Sequence, residues 1–184
     1  LNVLQGGLAA PRALDRTRSL RLFRRGYERG GANNEAADEH GIAWFLQPGG
    51  VDSTHLLHPP DAALLSYRLP DFNLELAFHP TEFTQVNPAV NRVLVRRAMT
   101  LLQPGADERI GDLFCGLGNF SLPIATMGAQ VLGIEGSAAL VRRAEECARQ
   151  NGLAATTRFA VANLFEATPE AIDALGPLDR VLID

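Results

Sequence analysis

The chain of 184 residues contains no lysine, and all 17 of its basic residues are arginine. Only two cysteines occur, Cys115 and Cys147. Their number and wide separation argue against a disulfide framework and fit a reducing cytoplasm. It also leaves no cysteine cluster to hold an iron–sulfur centre. The four histidines, His40, His55, His58 and His79, are scattered, so no metal site is expected. No run of about twenty apolar residues is present, which excludes a membrane-spanning helix. The opening "LNVLQGGLAAPR" has neither the basic leader nor the apolar core of a secretory signal. It also lacks an initiator Met, which suggests a piece of a longer chain. The remainder is 46% hydrophobic and 21% charged, an ordinary globular composition long enough for one sizeable domain or two small ones.

The net charge of −4 is unevenly spread. Residues 1–30 carry seven Arg against Asp15 and Glu28, a local balance of +5, so the rest carries −9. Arginine forks suit phosphates and stacked bases, although a GC-rich genome gives the same bias. In "DRTRSLRLFRRGYERG", Leu20, Phe23 and Tyr27 have the spacing of one helix face. Two readings stand for that helix: a solvated amphipathic element, or a surface facing RNA.

Along the chain, "LNVLQGG" reads as a short strand and "GGANNEAADEHG" as a loop or weakly helical link. "IAWFLQPGG" reads as a strand closed by a Pro-Gly-Gly turn. From Ser53 to Pro80, short apolar runs alternate with proline breaks, the pattern of antiparallel strands, with "LELAF" the clearest. Then the character changes. "NPAVNRVLVRRAMTLLQPG" is a helix with an Asn-Pro start, apolar residues at Val90, Val93, Leu94, Ala98 and Leu101, and a Pro-Gly stop. After it come strand "RIGDLFC", helix "NFSLPIATMG", strand "AQVLGIEG", helix "SAALVRRAEECARQNG", strand "TTRFAVAN", helix "TPEAIDALG" and strand "DRVLID". This alternation predicts a parallel, doubly wound α/β sheet with helices on both faces. The expected division is a small mixed α/β subdomain over 1–82 and a Rossmann-like unit over 83–184.

In such sheets ligands bind beyond the carboxyl ends of the strands, where the strand order reverses. "DLFCGLGNF" stands there, with Gly116 and Gly118 allowing a tight turn and close approach to a ligand. A dinucleotide loop requires a third glycine, but position 121 is Ser121. That substitution disfavours a pyrophosphate more than it disfavours S-adenosylmethionine. Asp112 suits a cationic ligand. Glu135, ending the second strand, is placed to accept from ribose hydroxyls, and Asn163 after the third could read an adenine edge. Asp184 follows the fourth.

The runs "FTQVNPAVNRVLVRRAM", "DLFCGLGNFSLPIA", "GIEGSAALVRRAEECARQNGL", "ANLFE" and "VLID" together resemble the RNA uracil-5-methyltransferase family over residues 75–184. The resemblance implies a class I S-adenosylmethionine-dependent fold, here half a domain preceded by the family's central subdomain. It implies methyl transfer from S-adenosylmethionine to C5 of a uridine in RNA, most naturally 23S rRNA. It also implies cofactor contacts at Gln85, Phe114, Asn119, Glu135, Asn163 and Asp184, with Phe83 and Gln85 beside the target base. The competing readings are an NAD-binding oxidoreductase domain and a non-catalytic module that binds cofactor or RNA.

C5 of uracil needs a thiolate added at C6 before it will take a methyl group, and a base must then remove the C5 proton. Cys115 sits where the loop wraps a cofactor, and Cys147 lies on a helix among carboxylates that would raise its pKa. Neither is expected to be the nucleophile. The family pattern places the nucleophilic cysteine and the catalytic glutamate beyond Asp184. The chain is thus expected to be an inactive internal fragment, with "DRVLID" an exposed sheet edge prone to self-association.

Overall fold

A computed structural model of the chain describes residues 20–23, 38–50, 53–61, 65–85 and 87–184. Its first elements are short strands. β1 (Leu20–Phe23) runs parallel to β2 (Ala43–Leu46), which pairs antiparallel with β3 (His55–His58). The described part of the arginine-rich stretch is therefore strand, not helix. "LRLF" alternates in period two as well as it fits a helical spacing, and sheet pairing decides between them. The rest of that stretch, the expected strand at "LNVLQGG" and most of the following link lie outside the described residues. Of the link, 38–40 form a helical turn.

β4 (Leu65–Leu69) and β5 (Leu74–Phe78) make an antiparallel hairpin across a short 3₁₀ turn, with Asn73 in the left-handed region. Leu65, Leu69, Leu74 and Leu76 are buried. The last three join the main core together with Ile110, Leu122, Ile124 and Val131. Burying each such side chain contributes about 1.5–3 kcal/mol. The hairpin thus shares its core with the elements that follow it.

Helix α1 (Pro88–Leu102) starts at Asn87, whose side chain accepts from the amides of Ala89 and Val90 at 3.1 Å each. It forms where expected but buries another face. Asn91, Val95 and Met99 face inward, while Val90, Val93, Leu94 and Leu101 are exposed. The chain carries two stripes at helical spacing, and the polar Asn91 disguises the one that packs.

The parallel sheet follows: β6 (Arg109–Leu113), α2 (Ser121–Thr126), β7 (Gln130–Glu135), α3 (Ala138–Gln150), β8 (Thr157–Val161), α4 (Pro169–Asp173) and β9 (Arg180–Ile183). Strand order is β8-β7-β6-β9, all parallel. The chain leaves β6 toward β7 and returns on the other side at β9, so β6 and β9 flank the switch point.

Two ties fix the segment entering this unit. Asn151 at the end of α3 accepts from the Glu75 amide at 3.1 Å and donates to its carbonyl at 2.8 Å. Arg143 of α3 lies 3.4 Å from Glu82, whose other contact is the His79 amide at 2.6 Å. Residues 79–85 are thereby held beside the carboxyl ends of the strands.

Candidate functional site

At the switch point a cleft of about 190 Å³ opens. Phe83, Thr84 and Gln85 line it from the segment before α1, and Phe114 to Leu117 together with Asn119 from the loop after β6. Glu135 ends β7, Leu140 comes from α3, Asp184 follows β9, and Tyr67 reaches in from β4.

The loop owes its shape to three left-handed residues in five: Phe114 (φ 63°), Gly116 (φ 56°) and Gly118 (φ 95°). Glycine adopts this conformation without strain, whereas Phe114 does so at a cost of order 1 kcal/mol or more. The Phe114 ring lies 5.1 Å from that of Phe165, an aromatic 89% exposed. Glu135 braces the turn: its Oε2 accepts from the Gly116 amide at 3.1 Å, and Oε1 from the Ser137 amide at 2.9 Å. One lone pair on each oxygen remains for a ligand hydroxyl.

Of the expected site residues, Phe83, Gln85, Phe114, Gly116, Asn119, Glu135 and Asp184 line the cleft. Gly118 shapes the loop without lining it. Asn163 stays outside and exposed; its side chain accepts from the Phe165 amide at 3.1 Å and caps the short turn after β8. Asp112 must be corrected as a surface contact for a cationic ligand. It has no exposed area, and its carboxylate is turned inward, where Ser121 donates to Oδ2. Burial pushes its pKa up to about 7, with Asp184 adding to the rise against the opposing Ser121 hydrogen bond. Ser121, read from sequence only as a missing glycine, is the partner of that buried acid.

Both cysteines are protonated thiols at neutral pH. Cys115 borders the cleft yet is only 4% exposed, and burial, Asp112 and Glu135 push its thiol up. Cys147 is raised as well, by burial ahead of its neighbouring carboxylates, and its thiol donates to the Ala77 carbonyl at 3.4 Å.

Sequence reasoning missed Tyr67, Asn91, Thr84 and Leu140. Tyr67 is 52 positions from Asn119, to which its hydroxyl donates at 2.9 Å, and no local pattern announces so distant a contact.

Chemically the cleft offers carboxylates at Glu135 and Asp184, amides at Gln85 and Asn119, and exposed aromatic surface at Phe83. No arginine or histidine is among the described residues that line it. A pyrophosphate would find no counter-charge there, whereas a ligand with hydroxyls and positive charge would.

The model of the family described as tRNA (uracil-5-)-methyltransferase matches residues 66–170, more than half of the chain. A 23S rRNA (uracil(1939)-C(5))-methyltransferase RlmD of Aromatoleum aromaticum is 58% identical over 148 residues, 80% of this chain and 34% of that protein. The protein of the same name from an Azoarcus strain is 60% identical, again over 80% of this chain and 34% of its own length. The chain therefore spans about a third of the length of the curated relatives it matches. The crystal structure of a Pyrococcus abyssi tRNA (uracil-54, C5)-methyltransferase in complex with S-adenosyl-L-homocysteine superposes with a TM-score of 0.64. It covers 88% of this chain and 38% of that one at 19% identity, which shows a common fold. By the extent of the family match, the chain belongs to the tRNA (uracil-5-)-methyltransferase family.

Proposed function

We propose that this chain is the cofactor-binding part of an RNA methyltransferase acting at C5 of a uridine, with S-adenosylmethionine as methyl donor. The observation that carries the reading is the switch-point cleft, which has carboxylates at the ends of β7 and β9 and no cation among its described lining residues. The cofactor supplies an electrophilic methyl group on a sulfonium. Glu135 accepts from its ribose hydroxyls with the lone pairs left free by Gly116 and Ser137. Asn163 reads the adenine edge with its unused side-chain N–H groups. Asp184 accepts from the ammonium. Phe83, 76% exposed, stacks on the target base, and Gln85 positions base and cofactor.

Residues 83–184 form the cofactor unit in this reading, and residues 1–82 the smaller subdomain that faces RNA. The substrate is 23S rRNA, as in the names of relatives 58% and 60% identical to the chain. In this reading the protein works in the cytoplasm, on ribosomal RNA. Among the described residues no helix is long and apolar enough to cross a membrane. The buried, protonated thiols of Cys115 and Cys147 do not supply the thiolate that adds to C6. In this reading that thiolate and the base come from outside residues 1–184.

Titration calorimetry with S-adenosylhomocysteine and, separately, NADH tests the proposal. Binding of the first and not the second is expected. NADH binding alone would replace the proposal with an oxidoreductase. A labelled-methyl assay on the chain by itself should show no transfer to RNA.

A further inference from the structure

Asn91 and Asn119 come from different elements and meet as a reciprocal amide pair. Asn91 Nδ2 donates to Asn119 Oδ1 at 3.0 Å, and Asn119 Nδ2 donates to Asn91 Oδ1 at 3.0 Å. The Tyr67 hydroxyl donates to the same Asn119 Oδ1 at 2.9 Å. A side-chain amide has two acceptor lone pairs and two N–H donors. Both lone pairs of Asn119 are spent, and one N–H is spent. A single Nδ2–H is left to a residue that lines the cleft.

Tyr67 fixes this polarity. Turning both amides over would set an NH₂ against the hydroxyl, and the phenolic hydrogen would lose its only acceptor among the described residues. A buried donor left unsatisfied is unfavourable, so the observed polarity is the stable one. Asn91 reinforces the choice from the buried face of α1, where it is 3% exposed. Burial also pushes the Tyr67 phenol upward, so it stays a donor throughout the neutral range.

The position of Asn119 in the cleft is also defined. It stands in the loop that follows β6 and rests against Asn91 at the start of α1. Glu135 lies on the other side of β6, at the end of β7. With its adenine toward Asn163 after β8 and its ribose on Glu135, as in the function proposed above, a cofactor brings its amino-acid end to the loop after β6, where Asn119 stands. That end has a sulfonium, an ammonium and a carboxylate, and of these only the carboxylate accepts hydrogen bonds.

We propose that Tyr67 and Asn91 are positioning residues that hold Asn119 as a donor-only group, and that Asn119 thereby selects the carboxylate of the cofactor's amino-acid end. This deepens the function proposed above and rests on it. Tyr67, from the smaller subdomain expected from sequence, and Asn91, from the larger, then meet at one atom, Asn119 Oδ1.

Calorimetry on the whole chain with three probes tests the inference: S-adenosylhomocysteine, its decarboxylated analogue, and 5′-methylthioadenosine. In Tyr67→Phe, affinity for S-adenosylhomocysteine should fall about tenfold, the scale of one hydrogen bond to a charged group. Affinity for the two probes without a carboxylate should stay within about twofold, about 0.4 kcal/mol. Asn119→Asp, which replaces the donor with a negative charge, should weaken S-adenosylhomocysteine further and spare the decarboxylated analogue. It provides the same comparison should Tyr67→Phe fail to fold. Equal losses for all three probes, or no loss for any, would overturn the inference while leaving the proposed function standing. A wild-type chain that binds none of the probes would overturn both.

Discussion

The Ser121 hydroxyl donates to Oδ2 of Asp112 inside the body of the protein, while Oδ1 of the same carboxylate has no partner among the described residues. An ionised carboxylate in that position is poorly compensated, which is why burial pushes Asp112 up to about 7. In the unfolded chain the same group titrates near 3.8. Between those values the folded state binds the extra proton, so stability falls as pH rises. The destabilisation is absent below about pH 4 and complete above about pH 7. Thermal melting of the wild type should therefore drop from pH 5.5 to pH 8. Asp112→Asn, which cannot ionise, should lack most of that slope. Parallel pH profiles for the two proteins would show that Asp112 is not the group responsible.

Gly133 of β7 makes a second, sterically defined prediction. A Cβ at this position would lie 2.5 Å from the Phe159 ring and 2.9 Å from the Cys115 sulfur. Neither neighbour is free to retreat, since Phe159 packs on the main core and Cys115 is buried beneath the cleft. Gly133→Ala should cost about 1–3 kcal/mol, the usual penalty for overpacking. Chemical denaturation reads this as a lower midpoint at unchanged slope. An unchanged midpoint would contradict the packing described.

Cys115 and Cys147 give a third. Both thiols are pushed up by burial, and both are nearly or wholly inaccessible. Ellman's reagent at pH 8 should label neither in the native chain, and both after denaturation. Cys115→Ala should accordingly retain affinity for S-adenosylhomocysteine within about threefold, about 0.7 kcal/mol. Rapid native labelling of Cys115 would restore it as a candidate nucleophile.

These residues also mark how far the sequence could be read. The parallel sheet was legible because its signals are local. β6 to β9 are apolar runs of strand length, Ser137 caps α3, and Gly128 and Gly152 take left-handed turns just past α2 and α3. What failed depends on depth or distance. Nothing in "GDLFC" tells whether Asp112 points to solvent or into the core. The packing face of α1 was hidden because Asn91, a polar residue, lies on it, and among the described residues its side chain is paired with Asn119, 28 positions away. Leu20–Phe23 suited both periods, and pairing with β2, more than twenty residues on, decided it.

The last prediction concerns β9. Among the described residues it pairs with β6 alone, so its other edge presents unpaired backbone groups. Val181 and Ile183 are 45% and 68% exposed, and Arg180 at the start of the strand is occupied by Glu108 at 2.9 Å. Natural sheets guard such edges with charge, proline or a covering element. Here the exposed side chains are apolar beyond Arg180. The chain of 184 residues should therefore self-associate through this edge. Light scattering after size exclusion should give a mass above that of one 19.9 kDa chain, rising with concentration. Val181→Lys, which places a charge on the open edge, should shift the population toward monomer. It should not lower affinity for S-adenosylhomocysteine, because Val181 does not line the cleft. A wild-type chain that stays monomeric at high concentration would show that the edge is protected by some other means.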